Sequence, residues 1–365
     1  MKIKEVIQHL EELAPLNYQE SYDNSGLIVG DPNQEVSKAL ISLDCTEEVV
    51  DDAIAKGCNL IISHHPIVFS GLKKFTGKNY VERVVIKAIK NDIALYAIHT
   101  NLDNVVGGVS SKMADKLGLE NQAVLRPKGG LLRKLVVYVP RTHVEEVRQA
   151  LFDAGAGAIG DYDQCSYNTA GYGTFRPLDG ANPAIGQVGE QERVEETKIE
   201  VIYPAQAERK ILVSMLAAHP YEEVAHQIFN IENSFSYVGS GVIGNLEEPM
   251  EESEFLAYLK ERMNLNVIRH TKSLGKKISR VAVCGGAGGF LLGDAKRSGA
   301  DIFITADYKY HEFFDAEGEI IIADIGHYES EQFTQELLLD IIQKKFANFA
   351  VLLTEIDTNP IKYYS

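Results

Sequence analysis

Apolar positions fall into two rhythms along most of the chain. Val6, Ile7, Leu10 and Leu13 recur at helical spacing, so Ile3 to Leu13 reads as an amphipathic helix, with His9 on its solvated side. Short, wholly apolar runs follow, as expected of strands buried on both faces of an α/β sheet. Leu27-Ile28-Val29 is the first, after the turn sequence Asp23-Asn24-Ser25-Gly26. Ala39 to Leu43 is the next strand. Thr46 to Lys56 is then a helix, with Thr46 placed to cap it and Gly57 to stop it. Leu60 to Ser63 is a strand, Val81 to Lys90 a helix and Ile93 to His99 a third strand. Strands alternating with helices in this way predict βαβ units around a parallel sheet.

The rhythm changes between about Lys128 and Phe235. This stretch opens on Pro127-Lys128-Gly129-Gly130, a linker composition. It contains strands at Leu131 to Val139, Lys198 to Tyr203 and Val224 to Ile231. Helices are expected at Thr142 to Ala154 and Ala205 to Ala217, and a Gly- and Tyr-rich stretch at Gly155 to Gly189. That order fits a split βαβ, ferredoxin-like unit. His143, His219 and His226 within it are scattered and read as structural. After Gly239-Ser240-Gly241 the α/β rhythm returns. A helix at Glu252 to Met263 is followed by strands at Arg280 to Cys284, Asp301 to Thr305 and Glu319 to Ile325. Phe290 to Arg297 and a long segment through Gln343 read as helices.

The two outer segments echo each other. SKALISLDCTEEVVDDAIAKGCNLIISHH and ISRVAVCGGAGGFLLGDAKRSGADIFITAD share a layout of strand, turn, helix, Gly and apolar strand. Ser63-His64-His65 falls opposite Thr305-Ala306-Asp307, and IALYAIHTNLD opposite EIIIADIGHYE. The expected fold class is therefore α/β, with two similar halves forming one discontinuous domain from residues 1–127 and 236–365. Residues 128–235 are the inserted α+β domain.

Composition narrows the function. The chain has 365 residues and a formal net charge of -16, which argues against a nucleic-acid partner because that needs a basic face. No apolar run is long enough to predict a membrane span. Cys45, Cys58, Cys165 and Cys284 are far apart and form no C-x-x-C pair, which argues against a disulfide framework or a structural zinc finger and suits a reducing cytoplasm.

The candidate chemistry gathers at strand ends. His64 and His65 follow an apolar run, and Pro66 keeps the chain extended there. Ligands of open α/β sheets bind at the carboxyl ends of strands, and His is the commonest metal ligand. Asp103 lies just beyond the next strand end. His327 and Glu331 are four apart at the start of a helix, a spacing that puts both on one face. His64, His65, Asp103, His327 and Glu331 are too many for one catalytic zinc with an open position. They suit two divalent ions bridged by a carboxylate and about 3.5–4 Å apart. Zinc is the first expectation, and such ligands also admit manganese, iron, cobalt or nickel. His99, Asp307, Tyr308 and His311 are candidates for orienting ligands or transferring protons, hence the catalytic set. Lys73, Lys74 and the amides of Gly285 to Gly289 are candidates for holding a phosphate.

SHHPIVFSGLKK, HTNLD, CGGAGG, ITADYKYH and GHYESE together resemble the GTP cyclohydrolase 1 type 2 homologues, also called Nif-three-like proteins, over nearly all of both outer segments. The resemblance implies a dinuclear metal centre between two similar halves, with ligands falling on His64, His65, Asp103, His327 and Glu331. It implies that the insert is of the PII or CutA type and that the chain forms a homohexamer. It also implies a metal-dependent hydrolase acting on a nucleotide or related phosphate compound. The alternative is a non-catalytic, metal-binding regulatory or scaffold hexamer whose insert senses a small ligand.

Overall fold

The computed structural model describes residues 1–364. Contacts divide the chain into two compact units, one made of Met1–Pro127 with Tyr237–Ser365, the other of Lys128–Ser236.

The larger unit begins with the helix Ile3–Leu13, which buries Ile3, Val6, Ile7 and Leu10. His9 is largely covered rather than solvated, its ring edge-on to Phe346. Strands Gly26–Val29 (β1), Lys38–Ser42 (β2), Leu60–Ser63 (β3) and Ala94–Ala97 (β4) lie side by side in the order β1-β4-β3-β2. β2, β3 and β4 are parallel, and β1 is antiparallel to β4. Every residue of β3 and β4 is buried, which is why their sequences are continuously apolar. Helices Glu47–Lys56 and Tyr80–Lys90 make the crossovers. Thr46 Oγ1 accepts from the Val49 amide at 3.3 Å, and Gly57 ends the first helix at a φ of 68°. Parallel register aligns Ser42, Ser63 and Ala97, so the three strands end level. Asp44, His64-His65 and His99 all follow those ends.

Glu120–Lys128 (β5) leads to the smaller unit. There Leu132–Pro140 (β6), Tyr167–Phe175 (β7), Glu192–Pro204 (β8) and His226–Ile231 (β9) form an antiparallel sheet in the order β7-β8-β6-β9. Helices Val144–Asp153 and Glu208–Ala218 complete a β-α-β-β-α-β, ferredoxin-like order. Leu135, Val137, Ile199 and Val201 pack with Val147, Leu151, Ile211 and Met215 to make its core. β7 lies inside the Gly- and Tyr-rich stretch that carried no strand signal. None of its nine residues is buried, so it has no apolar stripe.

The chain re-enters the larger unit through Phe235–Met250 (β10), a 16-residue strand. Gly239-Ser240-Gly241 therefore sits inside a strand, not at a joint. A Cβ on Gly239 would overlap the Arg126 carbonyl of neighbouring β5, so only glycine allows that approach. Arg269–His270 (β11), Ile278–Val283 (β12), Ile302–Thr305 (β13) and Ile321–Asp324 (β14) complete a second sheet in the order β11-β14-β13-β12-β10-β5. β12, β13 and β14 are parallel, and β11 is antiparallel to β14. The parallel triplets β2-β3-β4 and β12-β13-β14 are the strands that the repeat pairs, and each carries an antiparallel strand beyond its last member. Ala350–Leu353 (β15) returns to the first sheet, parallel to β2.

Candidate metal centre

Backbone hydrogen bonds carry the first sheet past the end of β3. The His64 amide donates to the Ser42 carbonyl at 3.3 Å and that of His65 to the Leu43 carbonyl at 3.0 Å. Both imidazoles are thereby held at the level where β2, β3 and β4 finish. His64 Nδ1 lies 2.8 Å from the Ile98 carbonyl and His65 Nδ1 2.8 Å from Asp44 Oδ1. His327 Nδ1 is 2.7 Å from Asp307 Oδ2, and His99 Nδ1 is 2.7 Å from Asp23 Oδ1. These partners only accept, so each Nδ1 carries a proton and each Nε2 is the nitrogen left to face the cluster. Oxygen partners of this kind accompany metal-binding histidines.

His327 and Glu331 come from the short helix His327–Glu331, which follows Gly326 at a φ of 92°. The CGGAGG turn after β12 secures it. The Gly286 amide donates to Ser330 Oγ at 2.9 Å, and Ser330 Oγ donates to the His327 carbonyl at 2.8 Å. Gly288 donates to Thr305 Oγ1 at 2.9 Å and Gly285 to Ser110 Oγ at 3.3 Å. These amides were expected to hold a phosphate. The structure turns Gly285, Gly286 and Gly288 inward onto protein hydroxyls instead. A Cβ on Gly286, where φ is 62°, would overlap Glu331 Oε1. The glycine-rich turn is thus a close-packed support for the carboxylate.

All five expected ligands meet. Glu331 Oε2 lies 3.0 Å from His65 Nε2 and 3.2 Å from His327 Nε2. His64 Nε2 lies 3.8 Å from Glu331 Oε1 and 3.6 Å from Asp103 Oδ1. His64 Nε2, Asp103 Oδ1 and Glu331 Oε2 are buried without a hydrogen-bond partner. Unpartnered buried polar atoms are rare and costly, and these three face one another. Two side-chain groups have the reach to hold a metal ion, His65-His327-Glu331 and His64-His65-His99, with donor atoms within 4.8 Å of one another in each. His99, expected only to orient ligands or move protons, therefore stands within ligating distance.

The electrostatics follow from crowding acids and imidazoles in a buried place. Burial disfavours the charged form of Asp103, and the Glu331 charge beside it acts the same way, so its carboxyl is raised well above the ordinary range. Burial also pushes Glu331 upward, but the imidazoles of His327, His64 and His65 around it outweigh that and hold Glu331 well below the ordinary range. Burial lowers His64. It opposes charge on His65 and His327 too, yet their carboxylate partners raise these to about 10 and about 9. A cluster that attracts protons so strongly when empty of metal is one that favours positive charge.

The remaining candidates separate. Asp307, at a φ of 59°, orients His327. Tyr308 is buried, its amide donating to Asp324 Oδ2 at 3.1 Å, and does not line the cleft. His311 is exposed, stacked on Phe314 and edge-on to Tyr310, also outside the cleft. The β13–β14 connection bends away after Asp307, carrying both residues off. Lys73 and Lys74 are exposed outside it as well. Three supporting residues carried no recognised signal: Asp44, Asp23 and Thr358. Asp44 was legible in principle, since SLD ends β2 level with the two histidines. Thr358 Oγ1 donates to Asp44 Oδ2 at 2.7 Å across 314 residues, a pairing that no local pattern marks. The site opens into a cavity of about 670 Å³.

Comparison with known proteins gives the chain's family. Residues 1–360 match the family described as Duf34/NIF3 (NGG1p interacting factor 3). The chain belongs to the Duf34/NIF3 family. A family relative from Bacillus subtilis, described as a GTP cyclohydrolase 1 type 2 homolog, is 38% identical over 99% of this chain and 98% of its own length. One of the same description from Halalkalibacterium halodurans is 40% identical, over 98% of each. Among solved structures, a Bacillus cereus protein related to NIF3 aligns with a TM-score of 0.86 at 40% identity, covering 100% of this chain and 99% of its own. The recognition made from the sequence motifs is thus shown for the whole chain. Among the described residues, no helix is long and apolar enough to cross a membrane.

Proposed function

We propose that this Duf34/NIF3 protein binds two divalent metal ions through His64, His65, Asp103, His327 and Glu331, and uses them to hydrolyse a nucleotide or related phosphate compound in the adjoining cavity. The observation that carries the reading is the set of buried, unpartnered donor atoms facing one another: His64 Nε2, Asp103 Oδ1 and Glu331 Oε2. Glu331 touches both groups of histidines and is the carboxylate able to bridge. When bound, such ions acidify a water and polarise a substrate oxygen. The chain's own residues supply orientation and proton handling. Asp44 and Asp307 fix the rings of His65 and His327. His99, held by Asp23, is the group placed to take or return a proton beside the cluster. Burial raises Asp23, but bonds from His99 and Thr100 more than offset it and keep it ionised, which holds the His99 ring in one orientation. The relatives' description as GTP cyclohydrolase 1 type 2 homologs supports a hydrolytic reading, and the ligand types put zinc first, ahead of manganese, iron, cobalt and nickel. A PII- or CutA-like character of the insert, a homohexamer and a cytoplasmic setting belong to the same reading and rest on the motif resemblance.

Turnover of GTP, other nucleotides and phosphodiesters by the metal-loaded protein is the test. Activity that disappears in Asp103→Ala would support the hydrolase. A second reading, a regulatory protein without turnover, has one feature in its favour: the smaller unit carries its own cavity of about 720 Å³, lined by Tyr138, Gly171, Glu196 and Tyr221 among others. Bound metal with no turnover of any of these compounds would favour it.

A further inference from the structure

The cavity beside the metal ligands has a one-sided chemistry. Among the described residues, no lysine or arginine lines it, whereas Glu20, Asp44, Asp103 and Glu331 do. Arg126, which packs over the Phe290 ring, is tied to Asp294 and is not in the lining. The amides of Gly285, Gly286 and Gly288, which elsewhere in proteins would suit a phosphate, are spent on Ser110, Ser330 and Thr305. A polyphosphate tail normally needs several cationic or amide partners. With no lysine or arginine among the described lining residues, the positive charge available to it would be that of the bound metal. Asp103 and Glu331 already neutralise part of that charge.

The mouth of the same cavity is aromatic. Tyr22, Phe69, Tyr80 and Phe290 line it and remain 68%, 53%, 61% and 57% exposed, and Tyr328 and Ile361 join them. Single exposed apolar side chains are ordinary, but a ring of them around one cavity marks a ligand surface. Phe69 also lies edge-on to His99, with ring centroids 5.7 Å apart, and His99 is in turn edge-on to His64 and His65, so the apolar rim reaches the cluster through His99.

We propose that this site takes a planar heteroaromatic compound bearing no phosphate or one, held by stacking on the aromatic rim, and that it discriminates against nucleoside triphosphates. The proposal rests on the reading of the cavity as a metal-dependent active site and shifts its substrate class to compounds with at most one phosphate. The ring is recognised by the rim residues, with Phe69 and Phe290 as the principal platform. A single phosphate or an exocyclic oxygen reaches the metal ligands at the cavity floor.

Calorimetric titration of the full-length, metal-loaded protein with guanosine, GMP and GTP tests this. Guanosine or GMP should bind more tightly than GTP. Phe69→Ala and Phe290→Ala should each weaken GMP binding about tenfold, the usual loss for one stacking partner, with metal content unchanged. GTP binding as tightly as GMP or more tightly would overturn the proposal, as would failure of all three compounds to bind. Full-strength GMP binding in the double variant Phe69→Ala/Phe290→Ala would also overturn it. The two-metal reading stands or falls separately, on the metal content measured in the same samples.

Discussion

Nε2 of His65 lies 3.3 Å from Nε2 of His327, and both point at the same oxygen of Glu331. Each ring gives its Nδ1 proton to a carboxylate, Asp44 for one and Asp307 for the other. Two ring nitrogens and an anionic oxygen therefore converge on one point, an arrangement that is repulsive unless protons or a metal ion occupy it. Removing members of the set should remove the cation. Elemental analysis should give up to two ions per chain in the wild type, less in His65→Ala and least in Glu331→Ala, because Glu331 reaches both groups of histidines. Unchanged metal loading in both variants, with circular dichroism showing them folded, would rule out this ligand assignment.

The same convergence sets a pH dependence. With no metal bound, the pKa values of His65 and His327 are raised to about 10 and about 9. Below those values protons occupy the Nε2 positions, and a metal must displace them to bind. Affinity should therefore fall with acidification, by up to tenfold per pH unit for each proton displaced. Metal titrations at pH 6, 7 and 8 check the sign. An affinity that is flat or that rises towards acid contradicts it.

How much of this site was legible in the sequence depends on how locally each part is encoded. The five proposed ligands announce themselves because buried parallel strands are continuously apolar, so a His or Asp just past the run stands out. The helices at Ile3–Leu13 and Glu47–Lys56 show equally plainly, through apolar spacing and caps. β7 does not, because a strand without a buried residue has no stripe to read. β15 and the tail after it take their place through β2 and Asp44, far away in the chain. Tyr308 and His311 drew attention by lying next to Asp307 in sequence, but the turn there carries them away from the cleft.

Glycine at 286 is set by the carboxylate it touches. Gly286→Ala adds a methyl group where Glu331 Oε1 lies and forces a non-glycine residue to a φ of 62°. We expect a cost above ~1 kcal/mol in stability together with loss of metal. Gly299→Ala is the control, since its φ is 71° but no atom lies within 4 Å of the added carbon. It should lower the melting temperature and leave metal content alone. Equal metal content in the two variants would show that Gly286 serves the backbone only.

The C-terminal tail is tied to the centre through one hydroxyl. Thr358 Oγ1 holds Asp44 Oδ2, and Asp44 Oδ1 holds His65. Partners that orient a ligating histidine are worth about 10–100-fold in metal affinity, and a hydroxyl one step further out should be worth the lower end of that range. Thr358→Ala should weaken binding by about that factor, while Thr358→Ser, which keeps the hydroxyl, should restore it. An alanine variant that binds like wild type would disconnect the tail from the site.

The insertion is separable on the same physical grounds. β5 and β10 are hydrogen-bonded neighbours in the second sheet, so the chain leaves for residues 128–235 and returns through adjacent strands. Arg126 and Gly239 are in close contact across that pair, so the two ends are about one strand spacing apart, ~5 Å. A short Gly/Ser linker spans that distance at little entropic cost. The smaller unit has a core of its own in Leu135, Val137, Ile199 and Val201, and all five proposed metal ligands lie outside it. Replacing residues 128–235 by such a linker should therefore give a folded protein that still binds metal at wild-type stoichiometry. Light scattering on the full chain should return a mass near six times 40.4 kDa if the proposed homohexamer forms. A monomeric full-length protein would remove the hexamer, whereas a deletion variant that fails to fold would show that the outer segments depend on the insert and are not a domain by themselves.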